Sequence, residues 1–155
     1  ELIENYGGWY YEMQALGYNY RLTDIQSALA LSQLQRADQM LARRKLLAER
    51  YHHALVNLPL KLPGTSEEIG HAYHLFVIRL ARRTALYDYL KTQQILCQIH
   101  YIPVHLHPYY QSLGFKKKQF PNAESFYETC MSIPLYPSMT DEQQAYVIEK
   151  IKSFF

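Results

Sequence analysis

The chain has 155 residues, 48% of them apolar, and its 16 basic and 14 acidic side chains leave a formal net charge of +2. That length suits one domain, or a domain with an arm, and the apolar content excludes a disordered chain. The near-balanced charge gives no electrostatic basis for binding nucleic acid or a membrane surface, and no run of 18 apolar residues offers a membrane-spanning helix.

Residues 1–21 read as an aromatic, irregular arm with Gly7-Gly8 as a flexible joint. A helix begins near Thr23. Thr23 with Gln26 fits a capping box, and Asp24 suits the positive end of the helix dipole. Ile25, Ala28, Leu29, Leu34, Ala37, Leu41, Ala48, Tyr51 and Leu55 then recur mostly at three, four or seven residues, which gives one apolar face. Unbroken to Val56, this helix is about 50 Å long. Such a helix bridges two bodies or lies along a partner. Pro59 and Pro63-Gly64 stop it.

His74–Leu80 reads as a strand, Ala81–Gln94 as a helix with Leu86 and Leu90 on one side, and Ile95–Ile102 as a second strand. Pro103–Gly114 is irregular, with one short helix near Tyr109–Leu113, and Lys116, Lys117 and Lys118 form a basic exposed loop. Asn122 is placed to cap a helix through Cys130. Ser132–Pro137 is a short extended piece. Thr140 with Gln143 makes a second capping box for a final helix to about Phe154, with Val147, Ile148, Ile151 and Phe154 or Phe155 inward. The order predicts a small mixed α/β layer hung from a long helix: an arm and linking helix over residues 1–56, and a small α/β domain over residues 57–155.

Cys97 and Cys130 sit in apolar surroundings, as buried reduced thiols of a cytoplasmic protein do. The chain starts at Glu1 without a signal-peptide pattern, and it is expected to be a piece of something longer. Its 15 tyrosines suit an interface or a site for a sugar or aromatic ligand, or simply core packing with the hydroxyls at the surface.

His100, His105 and His107 cluster in "HYIPVHLHPYY", and His71 and His74 form another pair. No CxxC or HExxH accompanies them, so no metal is expected, and the histidines are hydrogen-bonding groups in a polar pocket or structural side chains. No GxSxG, P-loop or GxGxxG occurs. A helix–turn–helix reading of "LTDIQSALALSQLQ" lacks a glycine-containing turn and a basic recognition helix. The stretch "GYNYRLTDIQSALALSQL" is more informative. Asn19 and Arg21 stand just ahead of a helix N-terminus, where free N–H groups and a partial positive charge favour a phosphate or carboxylate. The plainer reading is an arginine paired with a nearby acid.

"GGWYYEMQALGYNYRLTDIQSALALSQL" resembles the DegT/DnrJ/EryC1/StrS family of sugar aminotransferases, and three later blocks agree in order: "HAYHLFVIRL", "QIHYIPVHLHPYYQSLG" and "NAESFYETCMSIPLYPSMTDEQ". The resemblance covers nearly the whole chain, and within the family it is nearest to members that aminate a UDP-linked 4-keto-6-deoxy sugar for pseudaminic acid. It implies the aspartate aminotransferase-like fold type I, here as the long linking helix and small C-terminal α/β domain, with a small mostly antiparallel sheet. It implies pyridoxal 5'-phosphate as cofactor, a nucleotide-sugar substrate, an amino-acid donor such as glutamate, and a homodimer. By resemblance, Asn19 and Arg21 reach the cofactor phosphate of the neighbouring subunit. Tyr101, His105 and His100, with Tyr18 and Tyr20, lie near the nucleotide-sugar. The family's cofactor-bearing lysine stands in a Ser-Phe-His…Lys block that is absent here, and no lysine of this chain has that context. The chain alone is therefore expected to be inactive. The alternative is a non-catalytic dimerisation or ligand-binding module derived from the family.

Overall fold

A computed structural model describes residues 6–64 and 70–155. The chain divides into two compact units between Arg36 and Ala37.

In the first unit the arm leads into helix α1, Asp24–Leu34. The expected capping box is formed: the Gln26 N–H donates to Thr23 Oγ1 at 3.3 Å, and the Thr23 N–H donates to Gln26 Oε1 at 3.0 Å. No residue of α1 is buried, and Ile25, Leu29, Leu31 and Leu34 are exposed.

The second unit opens with helix α2, Ala37–Leu55. The single long helix expected from Thr23 to Val56 is thus two helices. The Arg36 N–H bonds back to Gln33 O, and the Ser32 carbonyl, which a continuous helix would offer to that N–H, instead accepts from Arg36 Nε at 3.3 Å. α2 turns Leu47, Ala48, Tyr51 and Leu55 into the core of this unit.

Strand β1 is Phe76–Arg79 and strand β2 is Cys130–Ile133. They pair antiparallel, with Phe76 opposite Ile133 and Arg79 opposite Cys130. Lys61 bridges to Arg79 on the outer side of β1, and Gln98 bridges to Ser132 on the outer side of β2. The strand expected over Ile95–Ile102 is therefore a single bridge. The extended piece expected over Ser132–Pro137 pairs two residues earlier, because Pro134 and Pro137 have no N–H to extend a ladder.

Helices α3 (Arg83–Thr92), α4 (Pro108–Ser112), α5 (Pro121–Thr129) and α6 (Asp141–Phe154) complete the unit. α6 packs against α2 and α3. Its capping box through Thr140 and Gln143 is formed. Asn122 is not the cap of α5: Pro121 takes the first helical position, and Phe120 precedes it without a side-chain cap.

The core joins Leu47, Tyr51 and Leu55 of α2 to Phe76 and Ile78 of β1, Leu86 and Leu90 of α3, Met131 and Ile133 of β2, and Val147 and Ile151 of α6. Polar bonds fix its edges. The Tyr51 hydroxyl donates to Pro134 O at 2.8 Å, Gln144 Nε2 donates to Leu47 O at 2.7 Å, and Arg44 Nη1 reaches the carbonyls of Tyr73, His74 and Leu135. The result is an α/β fold with a two-stranded antiparallel sheet.

Candidate functional site

Residues 13–23, just before α1, are all exposed. Tyr18 and Tyr20 stack on each other, ring centroids 5.1 Å apart and planes 11° from parallel. Arg21 has no ion-pair partner among the described residues. The expected alternative, an arginine neutralised by a nearby acid, is not formed there. The segment presents one guanidinium and one amide, free to meet an anion, beside a capped helix start.

The second group of candidates surrounds β2 and α5. His100 Nδ1 lies 2.9 Å from Ser132 Oγ, and the His100 ring meets Tyr101 edge-on at 4.7 Å. Tyr101 is 73% exposed, so its ring and hydroxyl are open to a ligand. The His100–Tyr101 peptide is cis.

His105 sits in a one-turn 3-10 helix, Val104–Leu106, and is buried. Its Nε2 lies 2.9 Å from Glu124 Oε1. The Glu124 carboxylate also accepts the Lys118 N–H, at 2.7 Å to Oε1 and 2.9 Å to Oε2, and a longer bond from the Phe120 N–H. The Lys118 N–H does most to hold the Glu124 carboxyl below its ordinary range; burial opposes it, and His105 and Phe120 add to the lowering. Glu124 thus satisfies the loop ahead of α5 and orients His105. The exposed edge of His105 faces an apolar cleft of about 370 Å³ walled by Tyr110, Phe115 and Phe120.

Sequence reasoning missed Glu124 and Ser132. A carboxylate in the first turn behind Pro121 was the only local signal for Glu124, and its partner His105 lies 19 residues away. Lys116, Lys117 and Lys118 are exposed, as expected of that loop. Burial pushes the Cys97 thiol up to about 12, which leaves no thiolate nucleophile there near neutral pH. Among the described residues no three His, Cys, Asp or Glu side chains are grouped to hold a metal ion. Nor is any described helix long and apolar enough to cross a membrane.

Comparison with known proteins adds the family. The DegT/DnrJ/EryC1/StrS aminotransferase family profile matches residues 3–152. The spore coat polysaccharide biosynthesis protein SpsC of Bacillus subtilis is 41% identical over 155 residues, covering 94% of this chain and 40% of its own. Among solved structures, the PLP form of Spr1654 from Streptococcus pneumoniae, described as a sugar aminotransferase, superposes with a TM-score of 0.82 at 29% identity, covering 94% of this chain and 38% of that one. Helicobacter pylori PseC, an aminotransferase of pseudaminic acid biosynthesis, gives a TM-score of 0.80 at 26% identity, covering 96% and 42%. The chain spans about two fifths of the length of the curated relatives it matches. With the fold shared and the profile matched almost end to end, the chain belongs to the DegT/DnrJ/EryC1/StrS aminotransferase family.

Proposed function

We propose that this chain is the C-terminal portion of a PLP-dependent aminotransferase. The whole enzyme moves an amino group, from glutamate, to the carbonyl of a nucleotide-linked 4-keto-6-deoxy sugar used in a surface glycan. The observation that carries this reading is the exposed pair Asn19 and Arg21, without an ion-pair partner, at the start of α1. A guanidinium and an amide exposed in this way suit a phosphate held by a neighbouring protomer. The family match, the PLP form of the S. pneumoniae relative and the polysaccharide and sugar roles printed for SpsC and PseC support it.

PLP, when bound, supplies the carbonyl that takes up and releases the amino group. In a cytoplasmic homodimer, Asn19 and Arg21 of one protomer hold the cofactor phosphate of the other. The stacked Tyr18 and Tyr20 wall the same cleft. Tyr101 offers an exposed ring and hydroxyl to the nucleotide-sugar. His100, braced by Ser132, and His105, braced by Glu124, shape the floor beside it. The cofactor-bearing lysine and the groups on the pyridine ring belong to the rest of the enzyme, so the chain by itself transfers no amine.

Absorbance spectroscopy with PLP and glutamate tests this. The chain alone is expected to give no turnover, whereas the protein expressed with its upstream reading frame is expected to be active. There Arg21→Gln should weaken PLP binding about tenfold to a hundredfold, the range for one charge-assisted bond. Turnover by the chain alone would overturn the reading. An upstream frame without a lysine block would favour a non-catalytic dimerisation or ligand-binding module.

A further inference from the structure

A cleft of about 510 Å³ lies on the outer side of β1 and is walled by Leu58, Leu60, Lys61, Arg79, Ser125 and Thr129 among others. Lys61 and Arg79 are directly opposed: each N–H donates to the other's carbonyl, at 2.7 and 2.9 Å. Side chains of such a pair leave the backbone on the same face, a few ångströms apart. Two cations so placed repel each other unless something negative joins them. Among the described residues neither has an acidic ion-pair partner.

Among the described residues the surroundings add to the imbalance. Arg79 Nε is fixed by Thr129 Oγ1 at 3.1 Å, and its guanidinium carbon lies 5.2 Å from the Phe126 ring centroid, so the fork is held in place with its outer nitrogens uncommitted. The Ser125 hydroxyl stands one helical turn before Thr129 on the same face of α5. Helix α3 starts beside the cleft with Arg82 and Arg83, no acidic residue in its first turn and no side-chain cap. Its free N–H groups therefore add positive potential.

We propose that this cleft binds a phosphorylated small molecule, with the phosphoryl oxygens bridging Lys61 and Arg79 and accepting from Ser125. Leu58 and Leu60 give an apolar wall for the body of the ligand. None of its lining residues is one assigned to the cofactor or the sugar, and it stands whether or not the enzyme reading above holds.

Amide chemical-shift titration of the chain tests it, with inorganic phosphate, glucose 1-phosphate and, as a neutral control, glucose. Both phosphates are expected to shift the amides of Lys61, Arg79, Ser125 and Thr129 at millimolar concentration, and glucose is not. Tighter binding of glucose 1-phosphate identifies an organic phosphate; equal or tighter binding of inorganic phosphate identifies the free ion. Lys61→Gln should weaken binding about tenfold, as loss of one charge-assisted contact does, and Ser125→Ala should weaken it less. No shift at these amides, or a response equal with chloride and indifferent to Lys61→Gln, overturns the proposal.

Discussion

His105 and Glu124 form a buried pair, Nε2 to Oε1 at 2.9 Å, and the same carboxylate accepts the Lys118 N–H. One acid therefore ties a 3-10 turn, a lysine-rich loop and the start of α5 together. Its carboxyl is held below the ordinary value, so its folded pKa lies below its unfolded pKa. The stabilisation is then complete above the ordinary carboxylate range and lost as pH falls through the folded value. The melting temperature is expected to fall on acidification from about pH 5 to about pH 3. Glu124→Gln should lower it at neutral pH and flatten the acid slope. Thermal denaturation across that range checks this, and an unchanged slope in the variant would count against it.

Asp141, at the N-terminus of α6, meets Arg50 and Arg43 of α2. Hydrogen bonds from Arg50 first and Arg43 second hold its carboxyl down to about 2. The sign is the same as for Glu124, but the window is lower: this contribution survives to more acidic pH. The cluster is also half exposed to water, so salt screens it. The melting temperature of Asp141→Asn is expected to lie below that of the parent at low ionic strength and to approach it in about 1 M NaCl. A salt-independent difference would count against stabilisation through the ion pairs with Arg43 and Arg50.

Tyr51 fills the centre of the core, against Phe76 at 5.1 Å, and sends its hydroxyl to Pro134 O. Tyr51→Phe deletes one buried hydrogen bond and strands a carbonyl, at a cost of about 1–2 kcal/mol. Tyr51→Ala also leaves a cavity and should cost about 3–5 kcal/mol. Urea unfolding at neutral pH measures both. Equal losses for the two would show that the ring is not packed as described.

Local chemistry was legible in the sequence and tertiary chemistry was not. Both capping boxes were readable because a Thr and a Gln three residues apart carry the whole signal. Ala48, Tyr51 and Leu55 of α2 and Val147 and Ile151 of α6 were readable from their spacing, whereas the buried Leu47 was not. The break at Gln35–Arg36 was not, because neither Gly nor Pro marks it; there the Ser32 carbonyl accepts from a side chain instead of a backbone N–H. The strand expected at Ile95–Ile102 met only Ser132, through Gln98, and a run of apolar residues does not show how many partners it will find. Asn19 and Arg21 were singled out by residue type, a helix start and the family resemblance, and the structure shows both exposed. The bracing of His100 by Ser132 and of His105 by Glu124 depends on contacts 32 and 19 residues apart, to which spacing is blind.

Helix α1 buries none of its residues, and Ile25 and Leu29 are 77% and 60% exposed on neighbouring turns. The arm before it exposes Trp9 at 75%, Met13 at 81% and Leu16 at 94%. A contiguous apolar surface beyond a few hundred Å² does not stay in water on an isolated soluble chain. The chain is therefore expected to self-associate at micromolar concentration, which light scattering would show as a mass at least twice 18.3 kDa. Ile25→Lys with Leu29→Lys should shift it toward monomer without lowering its melting temperature, because neither side chain is part of the core. A clean monomer in the parent would mean that the exposed side chains of α1 do not act together as one surface.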